Sequence, residues 1–247
     1  TGGNAGETGT VEFKNVSFHY PDSHTEVLSN ISFSAKKGET VAIIGATGSG
    51  KTTIVNLLLR FFDPTNGQVL VDGQDVRRYR QESLRRKLGC APQQAVLSAG
   101  TVRTNVTYGR TGDAADEAVT EALEIAQAYE FVSKMPDGMD GAVTRGGTNL
   151  SGGQKQRISV ARAVYRHPEI YIFDDTFSAL DYKTDRALRA ALKQRTEGIT
   201  TFIVAQRIGT IREADRILVL DDGKIVGSGT HRELLENCDV YREIAHT

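Results

Sequence analysis

The chain has 247 residues, 39% hydrophobic and 25% charged, the balance of an ordinary globular protein, and its length admits one large α/β domain or two small ones. A formal net charge of −1 supplies no global pull toward nucleic acid and leaves only a local basic patch as a route to it. No apolar run approaches the ~20 residues needed to span a bilayer, so the chain as written is expected to be soluble.

Residues 1–10, TGGNAGETGT, lack the basic and apolar regions of a signal peptide and read as a flexible linker. Residues 11–40 alternate apolar and polar positions in VEFKNVSFHY and VLSNISFSA, with PDSH as a turn between them, which predicts antiparallel strands. Val41 to Ile44 form a short apolar run that predicts a buried strand, and Thr53 to Phe62 predict a helix. Between them lies GATGSGKT, residues 45–52, which fits G-x-x-x-x-G-K-[ST] in the strand–loop–helix setting that pattern requires.

Such a loop turns successive backbone N–H groups toward phosphate oxygens at a helix start. Glycine permits the backbone angles and the close approach. Lys51 is expected to reach the β and γ phosphates, and the Thr52 hydroxyl to meet Mg²⁺, an ion that takes oxygen ligands and keeps several waters.

Downstream, GQVLVDG predicts a further strand pair, and residues 113–134 a helix with Ala118, Leu123, Ala126 and Val132 as apolar positions. LSGGQ follows at 150–154, then a helical stretch, KQRISVARAVYRHP, ended by Pro168. Three apolar strands close the pattern: IYIF, TTFIV and RILVL. Strands alternating with helices around a phosphate loop imply an α/β fold, with a mainly parallel sheet and helices on both faces. Cys90 and Cys238 are too few for a disulfide framework or a zinc site and are expected to be small buried hydrophobes. His19, His24, His167, His231 and His246 show no metal-ligand spacing.

A phosphate loop, then LSGGQ, then an apolar strand ending in Asp174 make the chain resemble the nucleotide-binding domain of an ABC transporter, of the exporter type, across residues 11–244. The resemblance implies a P-loop NTPase (RecA-like) core with an antiparallel β subdomain and a helical signature subdomain over roughly 94–167, all in one ABC ATPase domain of residues 11–247. It implies ATP and Mg²⁺ as ligands. The nucleotide set would be Tyr20, Gly45, Thr47, Gly48, Ser49, Gly50, Lys51, Thr52 and Thr53, and Mg²⁺ would be held by Thr52, Gln93 and Asp174. Tyr20 matches the aromatic that stacks on adenine, an interaction worth about 1–3 kcal/mol, with a plain strand residue as the other reading. Gln93 matches the Q-loop glutamine, with an ordinary loop residue as the other reading.

In this family two such domains pair head to tail, and each signature loop closes over the partner's ATP. Ser151, Gly152, Gly153 and Gln154 would then serve a second nucleotide-binding domain, with Asp181 communicating across the dimer. Segments at Phe61, Phe62 and 97–100 would face the transmembrane domains, unless the two phenylalanines form a buried pair. The domain would sit at the cytoplasmic face of a membrane.

Two positions depart from the family pattern. Asp175 stands where the glutamate that activates the attacking water is usual, and Gln206 where the switch histidine is usual. A milder departure is Arg145 in VTRGGTN, where a glutamate is common. With Asp175, Gln206 and Gln93 as the catalytic set, this chain's own site is expected to bind ATP and hydrolyse it slowly, as one half of a heterodimeric exporter. A competent homodimer, a non-transport ABC ATPase acting on DNA or ribosomes, and a P-loop kinase are the other readings; the missing basic stripe and the presence of LSGGQ count against the last two.

Overall fold

The computed structural model describes residues 8–108 and 114–246. Its strands are β1 (Val11–Phe18), β2 (Leu28–Ala35), β3 (Thr40–Gly45), β4 (Asn66–Val71), β5 (Gln74–Asp75), β6 (Leu88–Ala91), β7 (Gly100–Thr101), β8 (Ala142–Val143), β9 (Ile170–Asp174), β10 (Thr200–Ala205), β11 (Arg216–Asp221) and β12 (Lys224–Gly229). Its α-helices are α1 (Lys51–Leu58), α2 (Gln81–Lys87), α3 (Val102–Val106), α4 (Asp116–Ile125), α5 (Tyr129–Ser133), α6 (Gly152–Tyr165), α7 (Tyr182–Thr196), α8 (Ile208–Ile211), α9 (His231–Asn237) and α10 (Asp239–Ala245).

The chain divides into two compact units: residues up to Leu88, Glu169–Asp174 and Gly198 onward form the first, while Gly89–Pro168 and Asp175–Glu197 form the second. In the first unit β2, β1, β4 and β5 make an antiparallel sheet. The expected alternation is visible in β1, where Val11, Phe13, Val16 and Phe18 are buried, and the Asp72–Gly73 turn, with both φ positive, closes the β4–β5 hairpin.

A second sheet of this unit runs β12, β11, β3, β10, β9, with β11, β3, β10 and β9 mutually parallel and β12 antiparallel at the edge. Strands β3 and β9 are buried almost end to end, as unbroken apolar runs in a parallel sheet should be. Ala42, Ile44, Ile217 and Val219 pack with Ile211, Leu234, Cys238 and Tyr241 from α8 to α10 in one core.

The second unit is mainly helical. Its longest helices are α6 and α7, which run for 14 and 15 residues.

Several expected bounds shift for local reasons. The helix expected over Thr53–Phe62 begins at Lys51 and stops at Leu58, because Arg60 turns left-handed at φ 54. The helix expected over 113–134 is two, α4 and α5; residue 113 lies outside the described residues, and the break comes at Gln127, φ 57, where the Ala128 N–H reaches back to the Leu123 carbonyl at 2.8 Å. Helix α7 shows little of itself in the sequence pattern, since its surface is polar and only Leu188 and Leu192 are buried. Cys238 is buried as expected, but Cys90 near the end of β6 is only half-buried. Of the expected linker, residues 1–7 lie outside the described residues, whereas the N–H groups of Gly9 and Thr10 both donate to Asp72 Oδ1, at 2.6 and 3.0 Å.

Candidate phosphate-binding site

Parallel pairing sets the first unit's candidate residues at one end of its sheet. Ile44 is level with Ala205, and Val204 with Asp174, so the carboxyl ends of β3, β10 and β9 lie side by side. The loop after β3, the start of Gln206 and the Asp174 carboxylate therefore share that edge, the usual place for a ligand crevice in an open α/β sheet.

The 45–52 loop is built by conformations few side chains tolerate. Gly48 and Gly50 have φ of 81° and 108°. A Cβ on Gly45 would lie 2.4 Å from the Leu220 carbonyl oxygen, and one on Gly50 2.6 Å from Leu28 Cδ2. Helix α1 starts from Gly50 with no side-chain cap and no acidic residue in its first turn, so its positive dipole end is left for an anion.

Lys51 is only 8% exposed, and its ammonium donates to the Gly45 and Ala46 carbonyls at 2.6 and 2.8 Å. Those bonds hold the ammonium inside the loop. Ser49 Oγ is buried without a hydrogen-bond partner among the described residues, an orphaned hydroxyl a phosphate oxygen would satisfy. Thr47, Gly48 and, in the first turn of α1, Thr52 are exposed.

Asp174 ends β9 at 3% exposure. With the Thr52 hydroxyl it offers hard oxygen donors that suit Mg²⁺. Among the described residues no cluster of three or more His, Cys, Asp or Glu side chains could by itself hold a metal ion.

Tyr20, two residues past β1, is brought to the first turn of α1: its hydroxyl lies 3.0 Å from Thr53 Oγ1, and its ring meets Phe18 and Phe62 edge-on at 4.9 and 5.1 Å. Phe61 and Phe62 thus form no buried pair. Phe62 supports Tyr20, while Phe61 is 57% exposed with the Arg85 guanidinium 5.8 Å from its ring centre. Gln206 is exposed just after β10.

The second unit carries the other candidates. Gln93 is exposed in the segment after β6. Asp175 is half-buried with φ 47, a left-handed backbone, and its carbonyl accepts from Ser178 Oγ at 3.1 Å. Ser151 caps α6 through a reciprocal pair: its hydroxyl accepts from the Gln154 N–H at 3.1 Å, and Gln154 Oε1 accepts from the Ser151 N–H at 3.0 Å. The Gln154 side chain is therefore engaged in holding the turn that carries Gly152 and Gly153.

Asp181 caps α7, and hydrogen bonds from the Thr184 hydroxyl and N–H hold its carboxyl below the ordinary range. Leu97 was expected on an outward-facing segment, yet it is 2% exposed, an apolar side chain drawn into the unit's core next to exposed Val96. Arg145 is exposed.

Residues 28–178 match the family described as "ABC transporter". The chain is 47% identical over 242 residues to an uncharacterized ABC transporter ATP-binding protein of Mycobacterium tuberculosis (strain ATCC 25618 / H37Rv), covering 97% of this chain and 41% of that protein. It is 43% identical over 237 residues to the ATP-dependent lipid A-core flippase of Escherichia coli (strain K12), covering 96% of this chain and 41% of that one. Among solved structures it superposes with a TM-score of 0.92 and 39% identity on a bacterial Atm1-family ABC exporter with ATP bound, over 98% of this chain and 43% of that one. The chain thus spans about two-fifths of the length of these relatives. Among the described residues no helix is long and apolar enough to cross a membrane.

Proposed function

Since this chain belongs to the ABC transporter family, as an ATP-binding domain of the exporter type, we propose that it is the ATP-binding half of a heterodimeric exporter whose own site clamps ATP more than it consumes it. It would work at the cytoplasmic face of a membrane, joined to transmembrane domains and paired head to tail with a second ATP-binding domain.

In this reading the N–H groups of residues 47–52 and the Lys51 ammonium bind the β and γ phosphates, and Tyr20 faces the base. Thr52, Asp174 and Gln93 would hold Mg²⁺, which when bound neutralises charge on the phosphate oxygens. Hydrolysis attaches water to the γ-phosphorus and releases ADP, so a carboxylate must take or orient that water's proton.

The observation carrying the proposal is the pair Asp175 and Gln206. Asp175 is one methylene shorter than the glutamate usual in the family, and a displacement of about 1 Å costs roughly a hundredfold in rate. Gln206 donates a hydrogen bond toward the γ-phosphate but cannot become cationic. By the family pattern, both changes would bear on the same water and phosphate. Meanwhile LSGGQ is intact, and its capped helix start would complete a competent site on the partner.

Mg-ATP hydrolysis by three samples tests this: the native chain, the Asp175→Glu plus Gln206→His variant, and the native chain mixed with an ATP-binding domain that carries the usual glutamate and histidine. Near silence with tight ATP binding, and turnover recovered in the other two samples, is the expected result. Brisk turnover by the native chain alone would replace the proposal with a self-sufficient homodimer.

A further inference from the structure

The segment that carries Gln93 is tied down on both sides within the second unit, by residues without an assigned role. Upstream, two consecutive carbonyls are held: that of Ala91 accepts from Thr176 Oγ1 at 3.0 Å, and that of Pro92 accepts from Gln156 Nε2 at 2.9 Å. Thr176 is fully buried and follows Asp175 directly; Gln156 is 4% exposed and lies on α6, two residues beyond Gln154.

Downstream, the carbonyl of Val96 accepts from Arg162 Nη1 at 3.0 Å, and Arg162 is also on α6. The same guanidinium donates to the Asn105 carbonyl at 2.8 Å and to Asn105 Oδ1 at 3.1 Å. Asn105, 1% exposed, in turn brackets Ser98, accepting from its N–H and donating to its carbonyl, each at 2.9 Å.

The residues left between these anchors are 93–95. One rigid helix whose first turn is the signature therefore holds both feet of the loop bearing Gln93.

We propose that Gln156 and Arg162 are positioning residues for Gln93, binding its loop to the signature helix so that Gln93 and Ser151–Gln154 shift as one piece when nucleotide binds. This rests on the ATP-binding role proposed above. A buried glutamine and a half-buried arginine are costly to place unless their donors are used, and here Gln156 Nε2 and Arg162 Nη1 each end on a backbone carbonyl of this segment.

Hydrogen–deuterium exchange of the full chain, with and without Mg-ATP, tests the proposal, alongside the Kd for Mg-ATP. In Gln156→Leu, close in volume but lacking the donor, exchange across 93–97 without nucleotide should rise about five-fold or more, as loss of a hydrogen bond near 1 kcal/mol implies. In the native chain Mg-ATP should slow exchange at 93–97 and at the start of α6 together. In Gln156→Leu that joint response should split while Kd stays within about two-fold.

Arg162→Met should do the same, and Arg162→Lys, which keeps one donor for Val96, should restore part of it. The Arg162 pair serves as the second arm should Gln156→Leu not fold. Unchanged exchange at 93–97 in the folded variants overturns the clamp. Failure of the native chain to bind Mg-ATP overturns the role on which the clamp rests, a result the nucleotide-free comparison keeps separate.

Discussion

Replacing Asp175 with glutamate is expected to raise turnover and lower stability at once, because the two properties depend on different parts of the residue. Its backbone is left-handed, φ 47. An ordinary L-residue in that region carries a cost of about 1–2 kcal/mol, which aspartate bears better than glutamate because its short polar side chain suits such turns. The substitution should therefore cost about 0.5–1 kcal/mol, or ~1–4 °C in Tm for a chain of this size.

Turnover moves the other way. One more methylene carries the carboxylate toward the attacking water, and recovering about 1 Å of reach is worth up to roughly a hundredfold, near 2.7 kcal/mol of activation energy. Differential scanning fluorimetry and a phosphate-release assay, run in both the native and Gln206→His backgrounds, measure the two effects. Asp175→Asn is the control: it keeps the left-handed preference, so Tm should hold within about 1 °C while turnover falls further. A glutamate variant whose kcat stays within two-fold of the native chain in both backgrounds would refute the reach argument, and one whose Tm rises would refute the backbone argument.

Ser151→Ala removes one side of the capping box on α6 and should destabilise the chain by about 1 kcal/mol, read as a lower urea midpoint at unchanged m-value. Asp75 is bound by the Arg77 guanidinium at 2.6 Å, and that hydrogen bond, outweighing the opposing effect of burial, holds its carboxyl below the ordinary 3.8. With the folded value depressed, its contribution is present above about pH 4 and is lost as pH falls through the folded value. Asp75→Asn should therefore cost stability at pH 7 and markedly less at pH 2.5; an equal cost at both would refute the pairing.

Much of the candidate site is legible in the sequence because its signals are local. The period-2 run in β1, the unbroken apolar stretches of β3 and β9, and the spacing of GATGSGKT and LSGGQ each depend on residues within a few positions of one another. A glycine needed for its backbone angle at residue 50, or a serine capping α6 with the glutamine three residues on, leaves its mark in the sequence itself.

What the tertiary structure alone decided are pairings between distant segments, since nothing in the local pattern says which surface a side chain will meet. Tyr20 reaches Thr53 across 33 positions and Gln156 reaches Pro92 across 64. The neighbours Phe61 and Phe62 part company, one exposed and one against Tyr20, and Leu97 is buried beside exposed Val96. Neither periodicity nor composition distinguishes those neighbours. Burial is settled only when the elements pack, because the free energy of removing apolar surface from water belongs to the assembled core and not to any one residue.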